Sequence, residues 1–204
     1  MIGGLDEAGR GPILGPLVIG AVVVDENGEQ MLRELRVRDS KRVSPTHRLK
    51  LFPLIQEIAE TTLMTEISAS ELDKLRMEEN LTLTEIEAMK MAEMINELHP
   101  QKVIVDAAEN SCAHFAASIF KYLNENTKLR IKLVAEHMAD VHYPVVSAAS
   151  ILAKVKRDNR IEQLKKIYGD IGSGYPSDPK TRIYLRSLIR SGNGFPEFVR
   201  LSWN

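Results

Sequence analysis

A chain of 204 residues with 44% hydrophobic side chains can form one globular domain with a buried core and a small appendage, which excludes a disulfide-dependent miniature fold. The single cysteine, Cys112, excludes an intrachain disulfide, and no apolar stretch predicts a membrane-spanning helix, so we expect a cytoplasmic protein without a membrane partner. The net charge of −1 argues against a protein that coats nucleic acid nonspecifically.

Charge is distributed unevenly along the chain. Residues 145–204 contain 11 Lys and Arg against 5 Asp and Glu, whereas residues 1–144 contain 16 against 23. An acidic part suits metal cations and a basic part suits a polyanion. An uneven but solvated surface is the alternative, and composition alone leaves it open.

The first third of the sequence predicts three strands and one helix. Ile2 to Leu5 and Leu17 to Asp25 are rich in β-branched residues and are separated by a turn that contains glycine and proline. Thr61 to Ile67 is a weaker third run of the same kind. Between the second and third runs, apolar residues recur at helical spacing from Pro45 to Ala59.

The rest of the sequence alternates between predicted helices and strands. The segment Thr-Leu-Thr-Glu is a capping box that opens the first of these helices, and a turn-rich segment precedes the last. In chain order we predict a helix from Thr82 to Leu98, a strand from Val103 to Val105, a helix from Ser111 to Leu123, a strand from Ile131 to Ala135, and helices from Val145 to Lys166 and from Pro179 to Ser191.

This order of elements predicts an α/β fold with a mixed sheet. Strands joined by short connections pair antiparallel, whereas strands joined through helices pair parallel. We expect a main domain over residues 1–168 and a small C-terminal helical extension over residues 169–204.

Several acidic residues follow the predicted strands. Asp6 and Glu7 come directly after the first strand, and Asp106 follows the strand that begins at Val103. If these two strands are parallel neighbours, about 4.8 Å apart, their terminal side chains converge at one edge of the sheet. Asp140 follows the next strand and can reach the same edge. For any one of these acids, helix capping or loop solvation is the alternative.

The four acidic residues are expected to need metal ions. Carboxylates gathered in one place repel each other and raise one another's pKa unless cations compensate the charge. Oxygen ligands without cysteine or a histidine pair indicate a hard ion, Mg²⁺ or Mn²⁺, rather than structural zinc. Such sites favour phosphoryl transfer with two metal ions.

Other residues are candidates for contacts with a nucleic acid. Gly9, Arg10 and Gly11 form a turn with accessible backbone beside the acids, although such a turn alone is weak evidence and lacks the Gly-Lys-Ser/Thr of a P-loop. Tyr175 lies in a rigid Gly-Tyr-Pro turn and can stack on a sugar or base, with core packing as the alternative. The basic candidates for phosphate contacts, for which solvated helix faces are the alternative, are Lys41, Arg42, Lys154, Lys156 and Arg157.

Five motifs together resemble the type 2 ribonuclease H family, ribonuclease HII, along nearly the whole chain. The last of them looks most like archaeal members. The motifs are Asp-Glu-Ala-Gly-Arg-Gly-Pro at 6–12, Asp-Ser-Lys-Arg at 39–42, Val-Asp-Ala-Ala at 105–108, Pro-Val-Val-Ser-Ala-Ala-Ser-Ile-Leu-Ala-Lys-Val at 144–155, and Gly-Ser-Gly-Tyr-Pro-Ser-Asp-Pro at 172–179.

The resemblance implies a ribonuclease H-like five-stranded sheet flanked by helices, with a C-terminal extension that helps to bind substrate. It also implies a catalytic, metal-binding set of Asp6, Glu7, Asp106 and Asp140. The Gly9–Gly11 segment would sense the 2′-hydroxyl, and Tyr175 would pack against the deoxyribose beyond an RNA–DNA junction. The implied substrates are RNA/DNA hybrids and DNA that contains ribonucleotides, cut on the 5′ side of the ribonucleotide to leave a 3′-hydroxyl and a 5′-phosphate.

Two alternatives and one departure accompany this resemblance. A DNA nuclease or resolvase can use the same scaffold, because carboxylates alone do not select a sugar. A noncatalytic nucleic-acid-binding module is the other alternative, although it has no need for the four acids together. Some archaeal members carry a clamp-binding tail, whereas Leu-Ser-Trp-Asn at 201–204 is not a clear clamp-binding motif, which leaves sliding-clamp binding uncertain. We expect a monomer.

Overall fold

The computed structural model describes residues 1–35, 37 and 43–203. Its centre is a mixed sheet with the strand order β3-β2-β1-β4-β5. The pairs β1–β2 and β2–β3 are antiparallel, and β1–β4 and β4–β5 are parallel. The strands are β1 (Ile2–Ala8), β2 (Leu17–Val24), β3 (Thr61–Ile67), β4 (Lys102–Asp106) and β5 (Lys132–Glu136).

Helices cover both faces of the sheet. Because strand residues alternate between faces, Leu5, Ile19 and Val105 pack on one side, whereas Val22 and Ile104 pack on the other. The first side is covered by α3, α4 and α5, and the second by α1, α2 and α8. The helices are α1 (Glu26–Glu34), α2 (Pro45–Ile58), α3 (Ala69–Met77), α4 (Leu83–Leu98), α5 (Cys112–Tyr122), α6 (Glu125–Lys128), α7 (Ala139–His142), α8 (Pro144–Tyr168) and α9 (Pro179–Ser191).

The long helix α8 lies directly against the centre of the sheet because two strand residues are glycines. A Cβ on Gly4 would lie 2.5 Å from the backbone of Val145, and a Cβ on Gly20 would lie 2.3 Å from the carbonyl oxygen of Ala149. These distances are too short for any side chain. The two glycines therefore allow α8 to cross β1 and β2 closely, which brings its second turn next to the end of β1.

The predicted strands and helices are present, and the structure adds elements that the sequence patterns did not indicate. These are α1, α3, α6 and α7. The segment expected to continue the second strand to Asp25 ends one residue earlier, because the Asp25 side chain accepts from the Gly28 amide at 2.7 Å and caps α1. Ser68 caps α3 in the same way.

The C-terminal part of the chain returns to the N-terminal part. Leu14 and Val199 form an isolated antiparallel bridge. They pack with Ile161, Ile171 and Phe198 in a third buried cluster that joins α8 to the segment around α9. The division into domains at residue 168 stays a prediction. Among the described residues, no helix is both long and apolar enough to cross a membrane.

Candidate active site

Neighbouring positions on β1 and β4 bring two aspartates together. Asp6 and Glu7, which were expected to follow the first strand, lie within β1, because this strand continues its pairing with β2 to Ala8. The two strands are adjacent and parallel, with Leu5 paired to Val105. Asp6 and Asp106 are the next residues of their strands, so their side chains project from the same face of the sheet. This juxtaposition is the one that the strand-end pattern predicted.

Asp140 reaches the same place from α7. Met138 adopts the left-handed conformation with φ 58° and turns the chain into this short helix. The amide of Ala139 then donates to Oδ1 of Asp106 at 3.0 Å, which fixes the first turn of α7 to the end of β4. One carboxylate oxygen from each of Asp6, Asp106 and Asp140 lies within 4.8 Å of the other two. Oxygens at this spacing can share an ion whose bonds to oxygen are about 2 to 2.6 Å long.

Glu7 lies beside this group of three aspartates and is not one of its members. Because successive strand residues point to opposite faces, the side chain of Glu7 leaves β1 on the side of α4, where Glu87 is the charge that perturbs it most. Its amide donates to Oδ1 of Asp6 at 2.7 Å. Its Oε2 is buried, and no described residue donates a hydrogen bond to it.

Burial and mutual repulsion raise the pKa values of these carboxyl groups. Desolvation raises the pKa of Asp6 well above its ordinary value, and the charges of Glu7 and Asp106 raise it further. Desolvation, followed by the charge of Glu87, raises the pKa of Glu7 to about 8. A proton or a cation is needed to neutralise such a group. Because the atoms available to bind a metal are all carboxylate oxygens, the residues present fit a hard divalent ion.

A cavity of about 410 Å³ is lined by Glu7 and by the Gly9–Gly11 loop, together with Lys154 and Tyr175. Gly9 has φ 91°, and a Cβ there would lie 2.5 Å from the carbonyl oxygen of Pro16, so only glycine fits. A Cβ on Gly11 would lie 3.7 Å from the Tyr175 ring. The loop backbone and the aromatic ring therefore lie close together at this cavity.

The comparison with known proteins decides the family. The sequence model of ribonuclease HII matches residues 3–204. The chain belongs to the ribonuclease HII family. A ribonuclease HII from Pyrococcus furiosus is 48% identical over 204 residues, which are 99% of this chain and 88% of that relative.

Solved structures agree with this assignment. The structure of the PCNA:RNase HII complex from Archaeoglobus fulgidus contains a chain with a TM-score of 0.89 and 39% identity, covering 100% of this chain and 95% of its own. Ribonuclease H2 from Pyrococcus horikoshii OT3 has a TM-score of 0.89 and 41% identity, covering 100% and 93%. The expected fold, a ribonuclease H-like mixed five-stranded sheet with a C-terminal helix, is confirmed.

Membership of the ribonuclease HII family makes the chain a metal-dependent ribonuclease H, which agrees with the cluster of aspartates. The predicted substrate residue Arg10 lines the cavity, and its side chain contacts α4. The Arg10 guanidinium forms an ion pair with Glu87 and donates to Oγ1 of Thr84 at 3.1 Å. Its charge is therefore directed at α4. Lys41 and Arg42 lie outside the described residues.

The basic residues of α8 have three different environments. Lys154 lines the cavity and donates to Oγ of Ser150 at 3.0 Å, whereas Lys156 is exposed on the helix surface. Arg157 is buried, and its guanidinium lies 5.0 Å from the centre of the Tyr175 ring and donates to the carbonyl oxygen of Ser173. Arg157 therefore supports the turn that carries Tyr175.

Three further residues at this site were missed by the sequence patterns. Glu87 is fully buried beneath the loop. A charge between Ile86 and Ala88, both buried, was the signal that could have found it. Arg48 of α2 lines the cavity and pairs with Asp158 at 3.3 Å. Arg200 contacts the loop across 190 residues of sequence, which no local pattern indicates.

Proposed function

We propose that this chain is an endoribonuclease that hydrolyses the RNA strand of RNA/DNA hybrids and single ribonucleotides embedded in duplex DNA. It cuts on the 5′ side of the ribonucleotide and leaves a 3′-hydroxyl and a 5′-phosphate. One observation carries the proposal: carboxylate oxygens of Asp6, Asp106 and Asp140 lie within 4.8 Å of one another, and Glu7, the residue after Asp6, lines a cavity together with the Gly9–Gly11 loop.

The four acidic residues have metal-binding and catalytic roles in this proposal. Asp6 and Asp106 carry most of the metal binding, and Glu7 and Asp140 complete two sites for Mg²⁺ or Mn²⁺. When bound, two such ions supply the charge that activates the attacking water and stabilises the leaving oxygen. The raised pKa values of Asp6 and Glu7 support this assignment, because a buried group of acids is costly to ionise without cations.

The loop and the aromatic ring select the substrate. The backbone amides of the Gly9–Gly11 loop contact the ribonucleotide and sense its 2′-hydroxyl, the group that distinguishes RNA from DNA. Tyr175 packs against the deoxyribose that follows the junction, held by Arg157 beneath it. Lys154 and the basic residues Lys41 and Arg42 contact phosphates.

The partner of this site is a nucleic-acid duplex. The excess of basic residues over residues 145–204 supports binding of the phosphate backbone by α8 and the C-terminal extension. We propose that the chain acts as a monomer. The Archaeoglobus fulgidus relative was solved as a complex with PCNA, so a sliding clamp is the second partner to test, by co-elution on a sizing column.

Mapping of the cleavage site tests the proposal. The substrate is a 5′-labelled duplex with one ribonucleotide, incubated with Mg²⁺, with Mn²⁺ or with EDTA, next to a duplex of the same sequence that contains only DNA. We expect one metal-dependent cut on the 5′ side of the ribonucleotide and no cut in the all-DNA duplex. A polymerase should extend the labelled product, because that product ends in a 3′-hydroxyl.

The other outcomes identify the alternatives. Equal cleavage of the all-DNA duplex would make the chain a DNA nuclease or resolvase. Binding of both duplexes without metal-dependent turnover would make it a noncatalytic module. A cut on the 3′ side of the ribonucleotide would contradict the proposed chemistry while leaving the substrate class intact.

A further inference from the structure

Arg200, four residues before the C-terminal residue, is hydrogen-bonded to the loop that lines the cavity. Its Nε donates to the carbonyl oxygen of Gly15 at 2.9 Å, its Nη2 to that of Gly9 at 2.7 Å, and its Nη1 to that of Arg10 at 3.3 Å. The residue is 1% exposed. All three guanidinium nitrogens are therefore directed at the backbone between Gly9 and Gly15.

Neighbouring residues fix the position of Arg200. Its amide donates to the carbonyl oxygen of Ile13 at 2.9 Å, and its guanidinium lies 4.5 Å from the centre of the Trp203 ring. Asp73 of α3 accepts from the amides of Leu201 and Ser202 at 2.7 and 2.9 Å. Burial lowers the pKa of Arg200 to about 9, which leaves the guanidinium charged at neutral pH.

The three hydrogen bonds determine where the amides of the loop point. The chain contains no cis peptide bond among its described residues, and in a planar trans peptide the C=O and the following N–H point in opposite directions. Because the carbonyls of Gly9 and Arg10 accept from Arg200, the amides of Arg10 and Gly11 point away from it, and both residues line the cavity. No described residue accepts a hydrogen bond from either amide.

We propose that Arg200 is a positioning residue for ribonucleotide selection, which holds the amides of Arg10 and Gly11 in place as donors to a 2′-hydroxyl. The inference rests on the proposed function, and it extends the selective site to the C-terminal segment. Arg200 touches no substrate in this scheme. Its contribution is to remove the freedom of a loop whose glycines would otherwise allow several backbone conformations.

Binding measurements on Arg200→Met and Arg200→Lys test the proposal. The quantity is the ratio of the dissociation constants for an all-DNA duplex and for the same duplex with one ribonucleotide, measured in Ca²⁺ so that neither is cut. In Arg200→Met we expect this ratio to fall about tenfold, since the loop loses three hydrogen bonds each worth up to about tenfold in equilibrium constant. Lysine keeps the charge but lacks the planar fork, so Arg200→Lys should lose about threefold.

Arg76→Met is the matched control. Like Arg200, Arg76 places its guanidinium against Trp203, 4.9 Å from the centre of the ring. Unlike Arg200, it donates no hydrogen bond to the loop between Gly9 and Gly15. It should keep the wild-type ratio. If Arg76→Met lowers the ratio as much as Arg200→Met, general packing of the C-terminal segment explains the effect and the proposal is overturned.

The melting temperature and the ratio of dissociation constants together distinguish a structural role of Arg200 from a role in selectivity. If Arg200→Met does not fold, Arg200→Lys carries the test alone. A folded variant of Arg200 with a lower melting temperature and an unchanged ratio would overturn the proposal, because the residue would then be merely structural. A wild-type protein that shows no preference for the ribonucleotide would contradict the proposed function instead, so the two failures are distinguishable.

Discussion

Asp106→Asn separates the structural role of Asp106, as the acceptor of a hydrogen bond from α7, from its role in metal binding. Asparagine keeps an Oδ1 that accepts from the Ala139 amide, so the connection between β4 and α7 is retained. The variant removes one negative charge from a metal site made of three carboxylates. We expect cleavage in Mg²⁺ to fall by at least about 1,000-fold, which corresponds to about 4 kcal/mol in activation free energy.

The same substitution should stabilise the protein when metal is absent. Two unit charges 4.8 Å apart repel by about 3 kcal/mol at an effective dielectric constant of about 20, and partial protonation of the cluster reduces this to about 1 kcal/mol. For a chain of this size, 1 kcal/mol raises the melting temperature by about 2 to 4 °C. Thermal unfolding in EDTA measures the shift.

A control variant identifies the origin of that shift. Asp106→Ala also removes the charge, but it loses the hydrogen bond from Ala139 and should forfeit about 1 kcal/mol of the gain. Asp106→Asn with near wild-type cleavage in Mg²⁺ would refute the proposed role of the cluster. Asp106→Asn with a lower melting temperature in EDTA would refute the electrostatic reasoning.

Three further predictions concern residues around the cluster. Tyr175→Ala should weaken binding of a ribonucleotide-containing duplex by about 5- to 160-fold while Mn²⁺ affinity stays unchanged, because stacking on an aromatic ring is worth about 1 to 3 kcal/mol; equal affinities in a fluorescence titration would contradict this role. Glu87→Gln should raise the free energy of unfolding at pH 8 by about 1 kcal/mol, because burial raises the pKa of Glu87 to about 7 despite its ion pair with Arg10, and its charge repels Glu7; a urea titration that shows a loss of stability would contradict this sign. In EDTA, the free energy of unfolding should fall as the pH rises from 5 to 8. The pKa of Glu7 is about 8 in the folded protein against an ordinary value of 4.5, so the folded chain binds more protons than the unfolded chain across this range. A rise in melting temperature over the same range would contradict this prediction.

The aspartate cluster could be predicted because its geometry follows from strand direction. Asp6 and Asp106 lie at neighbouring positions of two parallel strands; the sequence predicts their convergence on the condition that these strands are parallel neighbours, and the structure meets that condition. The position of Asp140 depended on α7, a four-residue helix with no side-chain cap and a left-handed Met138 before it. Sequence periodicity does not detect so short an element, although the position of Asp140 after the predicted strand from Ile131 to Ala135 placed it at the correct edge of the sheet.

The side-chain contacts that hold the walls of the cavity in place could not be predicted, because they join distant parts of the chain. The sequence places Arg10 in a turn beside the acids but does not indicate its partner, which is Glu87 of α4. For Arg157 the sequence predicts a phosphate contact or a solvated position on a helix. In the structure α8 is buried along most of its length, and Arg157 packs against Tyr175. Arg200 is unremarkable in sequence, and only the bridge between Leu14 and Val199 brings it to the loop.

Three aspartates from separate segments of the chain are proposed to hold a divalent ion. Anomalous diffraction from crystals soaked in Mn²⁺ can locate such an ion. We expect a peak about 2 to 2.6 Å from carboxylate oxygens of Asp6, Asp106 and Asp140, and loss of that peak in Asp106→Asn. A Mn²⁺ ion bound only elsewhere, or one that keeps its position and occupancy in Asp106→Asn, would contradict this proposal.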